Sequence, residues 1–193
     1  MNQDSFESRE RLSHPTIHMT YQIDPQHSAA QFKVRHMMIS NVKGEFDRIR
    51  GTVDLDPADP TTAKIEAVID VASISTREAD RDAHLKSADF FDVEKFPEIT
   101  FKSTGIVSHA SGHKVTGDLT IHGVTKSVTL ESESLSPEIK DGWGFLRRGL
   151  TAETKIDRRD FGLVFNMPMD GGGVVVGNDV HITLDLEITR KAE

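Results

Sequence analysis

The 193-residue sequence contains no cysteine, and it contains only one tryptophan and one tyrosine. Without cysteine the chain forms no disulfide and offers no thiolate to a metal, which is typical of proteins in a reducing compartment. No segment approaches the roughly 20 consecutive apolar residues that a membrane-spanning helix needs. Residues 1–19 contain neither an apolar core region nor a small-residue cleavage site. We therefore predict no signal peptide and expect a cytoplasmic protein.

Positive charge is also scarce, because 23 Lys and Arg residues face 31 Asp and Glu residues and give a formal net charge of −8. Nucleic-acid binding requires a concentrated basic face, so no nucleic-acid partner is expected. The length suits one domain with its own hydrophobic core. We place this domain at residues 20–190, between a polar, flexible N-terminal tail (1–19) and a short C-terminal tail (191–193).

Apolar and polar residues alternate in short segments that are separated by Gly, Pro, Asn and Asp. The clearest segment has apolar residues at every second position from Val180 to Ile188, and similar alternation occurs in residues 31–36, 64–71 and 150–156. A period of two predicts strands with one buried and one solvated face. About eight such strands with short turns, one at His122–Gly123, predict an all-β protein whose antiparallel sheet forms a sandwich or a closed barrel.

A charged segment midway along the chain is the exception to this pattern. Ser75 and Glu78 have the spacing of a capping box, which predicts the start of a helix. Leu85, Phe90 and Phe91 would give one or two short helices an apolar side. We therefore expect a helical insertion in an otherwise all-β chain.

The same segment carries the most suggestive candidates for a metal site, Asp80, Asp82 and His84. Asp80 and His84 would share a helix face, but they supply only half of a zinc shell, and neither cysteine nor an HExxH motif supplies the rest. The glycine-rich residues 170–179 lack the Gly-Lys-Ser/Thr of a phosphate loop, and no G-x-S-x-G elbow is present. The sequence therefore predicts no metal site, no cofactor and no catalytic residues.

Phenylalanine is the dominant aromatic residue, with ten copies, and much of it falls in the predicted strands or in the helical insertion. An eight-stranded barrel either fills its interior with side chains or holds one small ligand there. Residue patterns alone leave both alternatives open.

Five segments together resemble, in the same order along the chain, the YceI-like family of polyisoprenoid-binding proteins. These segments are Tyr21–His36, Val42–Val53, Ser73–Ser103, Val115–Leu130 and Lys155–Leu163. The third contains the family signature R-D-x-H-L followed by F-F-D, matched here by Arg81, Asp82, His84, Leu85, Phe90, Phe91 and Asp92. Two departures are Tyr21, where many relatives have Trp, and the missing leader that many exported relatives carry.

The resemblance implies a lipocalin-like antiparallel β-barrel of about eight strands, with the helical insertion closing one end. It further implies a non-enzymatic protein that binds, sequesters or transports a long-chain isoprenoid lipid, such as a polyprenyl phosphate or a quinone tail. The expected partner is a long-chain isoprenoid or another amphiphilic lipid, with no cofactor, and the resemblance allows a homodimer.

On this interpretation, thirteen apolar residues line the pore: Phe32, Val34, Phe46, Ile69, Leu85, Phe90, Phe91, Phe101, Leu119, Ile156, Phe161, Ile182 and Leu184. Six polar residues lie at its mouth or contact the ligand: His36, Arg81, Asp82, His84, Arg158 and Asp160. We expect Arg81 or Arg158 to pair with Asp160 or Asp82, either locking the helix onto the barrel or meeting the polar head of a lipid.

Two other functions compete with this interpretation. One is a hydrolase or isomerase that acts on an amphiphile, with His84 or His36 as general base. The other is a structural barrel with a filled core.

Overall fold

The computed structural model describes residues 18–170 and 172–192, and this part of the chain contains twelve β-strands and one α-helix. The first six strands are β1 (Met19–Ile23), β2 (Ala29–His36), β3 (Ser40–Phe46), β4 (Ile49–Leu55), β5 (Lys64–Asp70) and β6 (Ile74–Ser75). The others are β7 (Glu98–His109), β8 (Gly112–Ile121), β9 (Val124–Glu133), β10 (Ile139–Lys140), β11 (Phe145–Asp157) and β12 (Val176–Lys191). Helix α1 spans Ala79–Lys86, and 3-10 turns span Pro60–Thr62, Val71–Ser73 and Arg158–Phe161.

The strands close into an eight-stranded antiparallel barrel. β1 and β2 lie one after the other along one edge of β12 and together form one barrel strand. β4, which pairs with β1, and β3, which pairs with β2, together form the next barrel strand. The remaining barrel strands, β5, β7, β8, β9, β11 and β12, follow in order, and β12 returns to β1 and β2. The short strands β6 and β10 extend the edges of β3 and β11. The predicted fold class is confirmed, as a closed barrel rather than a sandwich.

The two-residue period of β12 decides which of its side chains face inward. Leu184 is the Cα partner of Ala152 on β11 and of Ala30 on β2, and all three line the interior. The neighbouring Asp185 and His181 are exposed on the outer surface. The predicted faces of this strand are therefore confirmed.

The turn between β8 and β9 lies where the sequence predicts it. His122 and Gly123 both have positive φ, of 51° and 74°, as the two-residue turns of twisted hairpins require. Glycine is the usual residue in this conformation because it has no Cβ.

The helical insertion lies between β5 and β7 and contains one α-helix. The predicted capping box is wrong, because Ser75 belongs to β6 and pairs with Glu45 of β3. The N-cap is instead Glu78, whose carboxylate accepts a hydrogen bond from the Asp80 amide at 3.3 Å. Phe91, after the helix, contacts Phe46 edge-on with 5.8 Å between ring centroids, so the insertion packs onto the barrel wall.

The described residues overlap only part of the predicted tails. β1 already includes Met19 and β12 reaches Lys191, while residues 1–17 and 193 lie outside the described part of the chain. None of the helices in that part is both long enough and apolar enough to cross a bilayer.

Candidate functional site

The barrel encloses a cavity of about 270 Å³. Pro60 and Leu135 line it at one end of the barrel, and Phe90 and Leu163 line it at the other. Five of the described lining residues carry polar side chains, and the other lining residues are apolar; the polar five are Gln31, His113, Ser132, Thr154 and Arg158. A barrel with a filled core is therefore contradicted, because the interior holds an apolar space.

Small side chains leave this space open around the middle of the barrel. Leu184 is flanked on its two neighbouring strands by Ala30 and Ala152, which are 4% and 3% exposed. A larger side chain at any of these positions would project into the lumen.

Two glycines allow phenylalanine rings to lie against the barrel wall. A Cβ atom added to Gly44 would lie 2.4 Å from Cζ of Phe32, and one added to Gly117 would lie 2.4 Å from Cζ of Phe101. Each ring therefore occupies the position that a side chain on the neighbouring strand would take. Any larger residue at either glycine would push the ring into the cavity.

Aromatic residues close the end of the barrel that carries α1, residues 87–97 and the loop after β11, which we call the helix end. Phe90 and Phe165 pack with 5.0 Å between ring centroids, and the His84 ring contacts both edge-on. Phe90 is 9% exposed and lines the cavity. The helical insertion therefore covers this end, as the sequence predicts.

Arg158 is the one cationic residue among the described lining residues, and it is only 4% exposed. Its guanidinium donates to the carbonyl oxygens of Gly177 (2.9 Å), Leu163 and Val176 (3.4 Å), and to Oδ1 of Asn178 (3.4 Å). Among the described residues, no carboxylate lies within 4.0 Å of it. Burial lowers the pKa of Arg158, because the charged form is poorly solvated there.

The expected pairing of Arg81 or Arg158 with Asp82 or Asp160 is wrong. Arg81 donates through Nε to the Thr76 hydroxyl at 2.7 Å and through Nη2 to the Thr76 carbonyl at 2.9 Å. The Asp82 carboxylate accepts from the Thr76 amide at 2.8 Å and from its hydroxyl at 2.5 Å. Asp160 is exposed on the outer surface. Arg81 and Asp82 therefore hold the turn between β6 and α1 rather than the mouth.

The two histidines proposed as general bases lie outside the cavity lining. Nε2 of His84 lies 2.9 Å from a carboxylate oxygen of Asp89, and the side chain is 44% exposed. His36 ends β2, where it pairs with Ser40, and it does not line the cavity either. The structure does not bring these two residues to a common site with a nucleophile.

Twelve of the thirteen apolar residues predicted for the pore line the cavity: Phe32, Val34, Phe46, Ile69, Leu85, Phe90, Phe91, Phe101, Leu119, Ile156, Ile182 and Leu184. Phe161 is the exception and a correction, because its side chain is 1% exposed within the hydrophobic core. Phe161 lies in the 3-10 turn that comes after β11, where the strand period of two no longer assigns side chains to a face. That the twelve residues contact a ligand stays a prediction.

A polar cluster that the sequence analysis missed closes the opposite end of the barrel. The Tyr21 hydroxyl donates to Glu138, and Arg190 and Arg148 approach the same carboxylate at 3.3 Å and 3.8 Å. Burial opposes ionisation of Glu138, but the hydrogen bond from Tyr21 and the charge of Arg190 lower its pKa. The alternation could have predicted this polar cluster. Arg148 lies two residues from Leu150 on β11, and Arg190 lies two residues from Ile188 on β12, so both are on the inward-facing side of their strands.

The described residues contain one group with the geometry of a metal site. Ligand atoms of Asp24, His27 and Glu187 lie within 4.8 Å of one another. Nη1 of Arg147 donates to Asp24 at 2.8 Å and also to Glu187, so a guanidinium already contacts one oxygen of each carboxylate. Burial opposes ionisation of Asp24, but hydrogen bonds from His27, Gln26 and Arg147 lower its pKa. Asp80, Asp82 and His84 do not form such a group, and the expected absence of a metal stays a prediction.

Comparison with known proteins adds a family to this geometry. A model of the YceI-like domain matches residues 21–188. A UPF0312 protein of Vibrio parahaemolyticus is 38% identical over 165 residues, which is 84% of this chain and 85% of the relative. The Campylobacter jejuni YCEI protein superposes with a TM-score of 0.66 at 31% identity, over 82% of this chain and 91% of that one.

A polyisoprenoid-binding domain from Saccharophagus degradans superposes with a TM-score of 0.62 over 90% of this chain and 98% of that domain. Its sequence identity is 18%, so this likeness concerns the fold alone. All five segments quoted from the sequence fall within the residues that the family model matches. The chain therefore belongs to the YceI-like family.

Proposed function

We propose that this protein binds and carries a long-chain isoprenoid lipid in the lumen of its barrel, without chemical turnover. The observation that carries the proposal is the apolar cavity, which reaches from Pro60 and Leu135 at one end to Phe90 and Leu163 at the other. A long, flexible hydrocarbon matches such a lumen better than a compact polar metabolite does. The Saccharophagus degradans domain, described as polyisoprenoid-binding, has the same fold.

Chain burial supplies enough free energy for tight binding, but it does not supply selectivity. Burial of one CH₂ group is worth about 0.8 kcal/mol. A chain of about forty carbons would nominally exceed the practical limit of about 18–21 kcal/mol for non-covalent binding. Discrimination among long chains must therefore come from the polar groups that line the cavity.

Arg158 favours a lipid with an anionic head, such as a polyprenyl phosphate, over a neutral quinone. A buried guanidinium without a carboxylate partner has charge to offer, and four of its five N–H groups are already engaged. The fifth N–H can donate to a phosphate oxygen at the helix end. The polar cluster at the other end is less suited, because Glu138 already offsets part of the charge of its two arginines, whereas Arg158 has no carboxylate within 4.0 Å among the described residues.

Extraction of the purified protein with organic solvent, followed by mass spectrometry, tests whether it carries a lipid. Leu184→Trp should abolish copurified isoprenoid because it fills the middle of the lumen. Asp185→Ser, on the outer face of the same strand, should leave the lipid content unchanged. A native protein without lipid that also fails to bind added polyprenyl phosphate or polyprenol would refute the proposal. Turnover of an amphiphile that is lost on His84→Ala would favour an enzyme instead.

A second experiment tests the head group. Arg158→Lys keeps the charge, and Arg158→Gln removes it. The affinities of these variants for polyprenyl phosphate and polyprenol should therefore show whether Arg158 binds the head group or only supports the structure. We expect Gln to weaken binding of the phosphate at least tenfold and to leave polyprenol binding unchanged, while Lys retains most of the preference. Equal losses for both ligands would assign Arg158 to the structure alone. Arg159→Gln, at the exposed neighbouring position, is the control.

A further inference from the structure

The β2–β3 hairpin ends in an exposed apolar tip. Met37, Met38 and Ile39 are 41%, 56% and 77% exposed. Met37 and Met38, the first two residues of the three-residue connection, have φ values of 47° and 63°, a left-handed conformation that hairpin turns usually fill with Asn or Gly. Two methionines therefore occupy a strained turn in which smaller residues are easier to accommodate, and strain of this kind concentrates at functional sites.

A second exposed apolar segment is joined to this tip through the backbone. The Met37 amide donates to the Val175 carbonyl at 2.8 Å, and the Val175 amide donates to the Met167 carbonyl at 3.1 Å. Met167 and Val164 are 52% and 67% exposed. We call the exposed apolar residues of these two segments the apolar rim: Met37, Met38, Ile39, Val164 and Met167. It lies at the helix end of the barrel, where contiguous exposed apolar residues mark a contact surface.

Basic residues flank the rim on the outer face of the same hairpin. Lys33 and Lys43 are direct partners across the two strands, and Arg35 faces Asn41 two pairs nearer the tip, on the same face of the sheet. All three basic side chains are exposed, and none of them forms an ion pair with another described residue. Like charges directly opposite on a sheet destabilise it, and an external anionic partner would relieve this repulsion.

We propose that this hairpin docks the protein on an anionic lipid bilayer. The apolar rim would enter the headgroup region, while Lys33, Lys43 and Arg35 would contact lipid phosphates, as in interfacial amphipathic segments. The net charge of −8 on the whole chain opposes non-specific attraction to such a bilayer, so docking would depend on the local positive charge of this hairpin. Docking in this orientation places the helix end of the lumen next to the membrane.

Cosedimentation with sucrose-loaded vesicles of phosphatidylglycerol or phosphatidylcholine tests the proposal. The native protein should bind the phosphatidylglycerol vesicles, and binding should fall with salt. Met37→Ser/Met38→Ser should weaken this binding at least tenfold because the inserted apolar surface is lost. Lys33→Gln/Lys43→Gln should weaken it roughly 25-fold, at about fivefold for each charge. Equal binding to both lipids, or no effect of either double substitution, would overturn the proposal.

The matched control lies at the opposite end of the barrel. Ile139 and Trp143 are 65% and 83% exposed there, and Ile139→Ser/Trp143→Ser should leave vesicle binding unchanged. Because Trp143 is the only tryptophan of the chain, a Trp143→Phe/Met38→Trp protein reports on the tip alone. Its fluorescence should shift to the blue on phosphatidylglycerol vesicles, whereas the native fluorescence should not. If this variant cosediments without the blue shift, the protein binds vesicles through another surface, and the proposed docking by the hairpin is overturned. Copurified lipid is measured separately, so loss of docking and loss of lipid binding are distinguishable.

Discussion

Replacing Arg158 by methionine should destabilise the protein by about 3 kcal/mol. The substitution removes a good hydrogen bond to Gly177 (2.9 Å), one to Leu163 and two longer ones. Hydrogen bonds from a charged donor contribute about 1.5–3 kcal/mol each, so the two good bonds sum to about 3–6 kcal/mol. Removing a buried charge recovers part of this free energy, because the guanidinium is poorly solvated in the native state.

Thermal unfolding followed by circular dichroism measures the effect. For a domain of this size, 1 kcal/mol shifts Tm by about 2–4 °C, so Arg158→Met should lower Tm by roughly 6–12 °C. Arg159→Met is the matched control, because its side chain is 57% exposed and pairs at the surface with Asp157. Such surface pairs contribute less than about 1 kcal/mol. Equal shifts for the two variants would refute the view that Arg158 fastens β12 and the preceding loop through their carbonyl groups.

Three further predictions concern the lumen and its surroundings. Leu184→Asp should cost several kcal/mol in urea unfolding because it buries an unpaired charge, whereas Asp185→Ser should be nearly silent; equal costs would contradict the assigned faces. Gly117→Ala should destabilise by about 1–3 kcal/mol and reduce lipid capacity, whereas Gly105→Ala, with open space around its Cβ position, should not; calorimetry and lipid extraction compare the two. Hydrogen bonds from the neighbouring arginine lower the pKa of Asp157 to about 2, so its stabilisation is complete above about pH 4 and is lost as the pH falls through about 2. The Tm difference between native protein and Asp157→Asn should therefore shrink over that range, and a constant difference would argue against the charge.

The barrel and most of its lining follow from alternation, because a period of two assigns every residue of a strand to one face. For this reason Leu184 and Ile182 could be placed in the lumen before any coordinates were known. The same rule ends where strands end, and Phe161, in a 3-10 turn, lies in the core instead.

The polar contacts of the site were much less predictable. Arg158 was expected to find a carboxylate, but its main acceptors are backbone carbonyls of residues 163, 176 and 177, and no side-chain pattern encodes these. The capping box failed because Ser75 was taken into a two-residue strand by β3, a long-range contact that overrides local spacing. The Met37–Met38 turn departs from the residue preferences of hairpins and so gave no turn signal.

The closure of the barrel has a consequence for folding. β12 pairs with β11 along thirteen residue pairs and with β1 and β2 on its other edge, so it joins the earliest and the latest barrel strands. Synthesis proceeds from the N-terminus, and seven of the eight barrel strands precede β12 in the chain. Until β12 arrives, β2 and β11 each keep an unpaired edge, which exposes the nascent sheet to aggregation. Contacts this distant in sequence also form slowly. A lipid present at that stage meets an open trough rather than a sealed barrel.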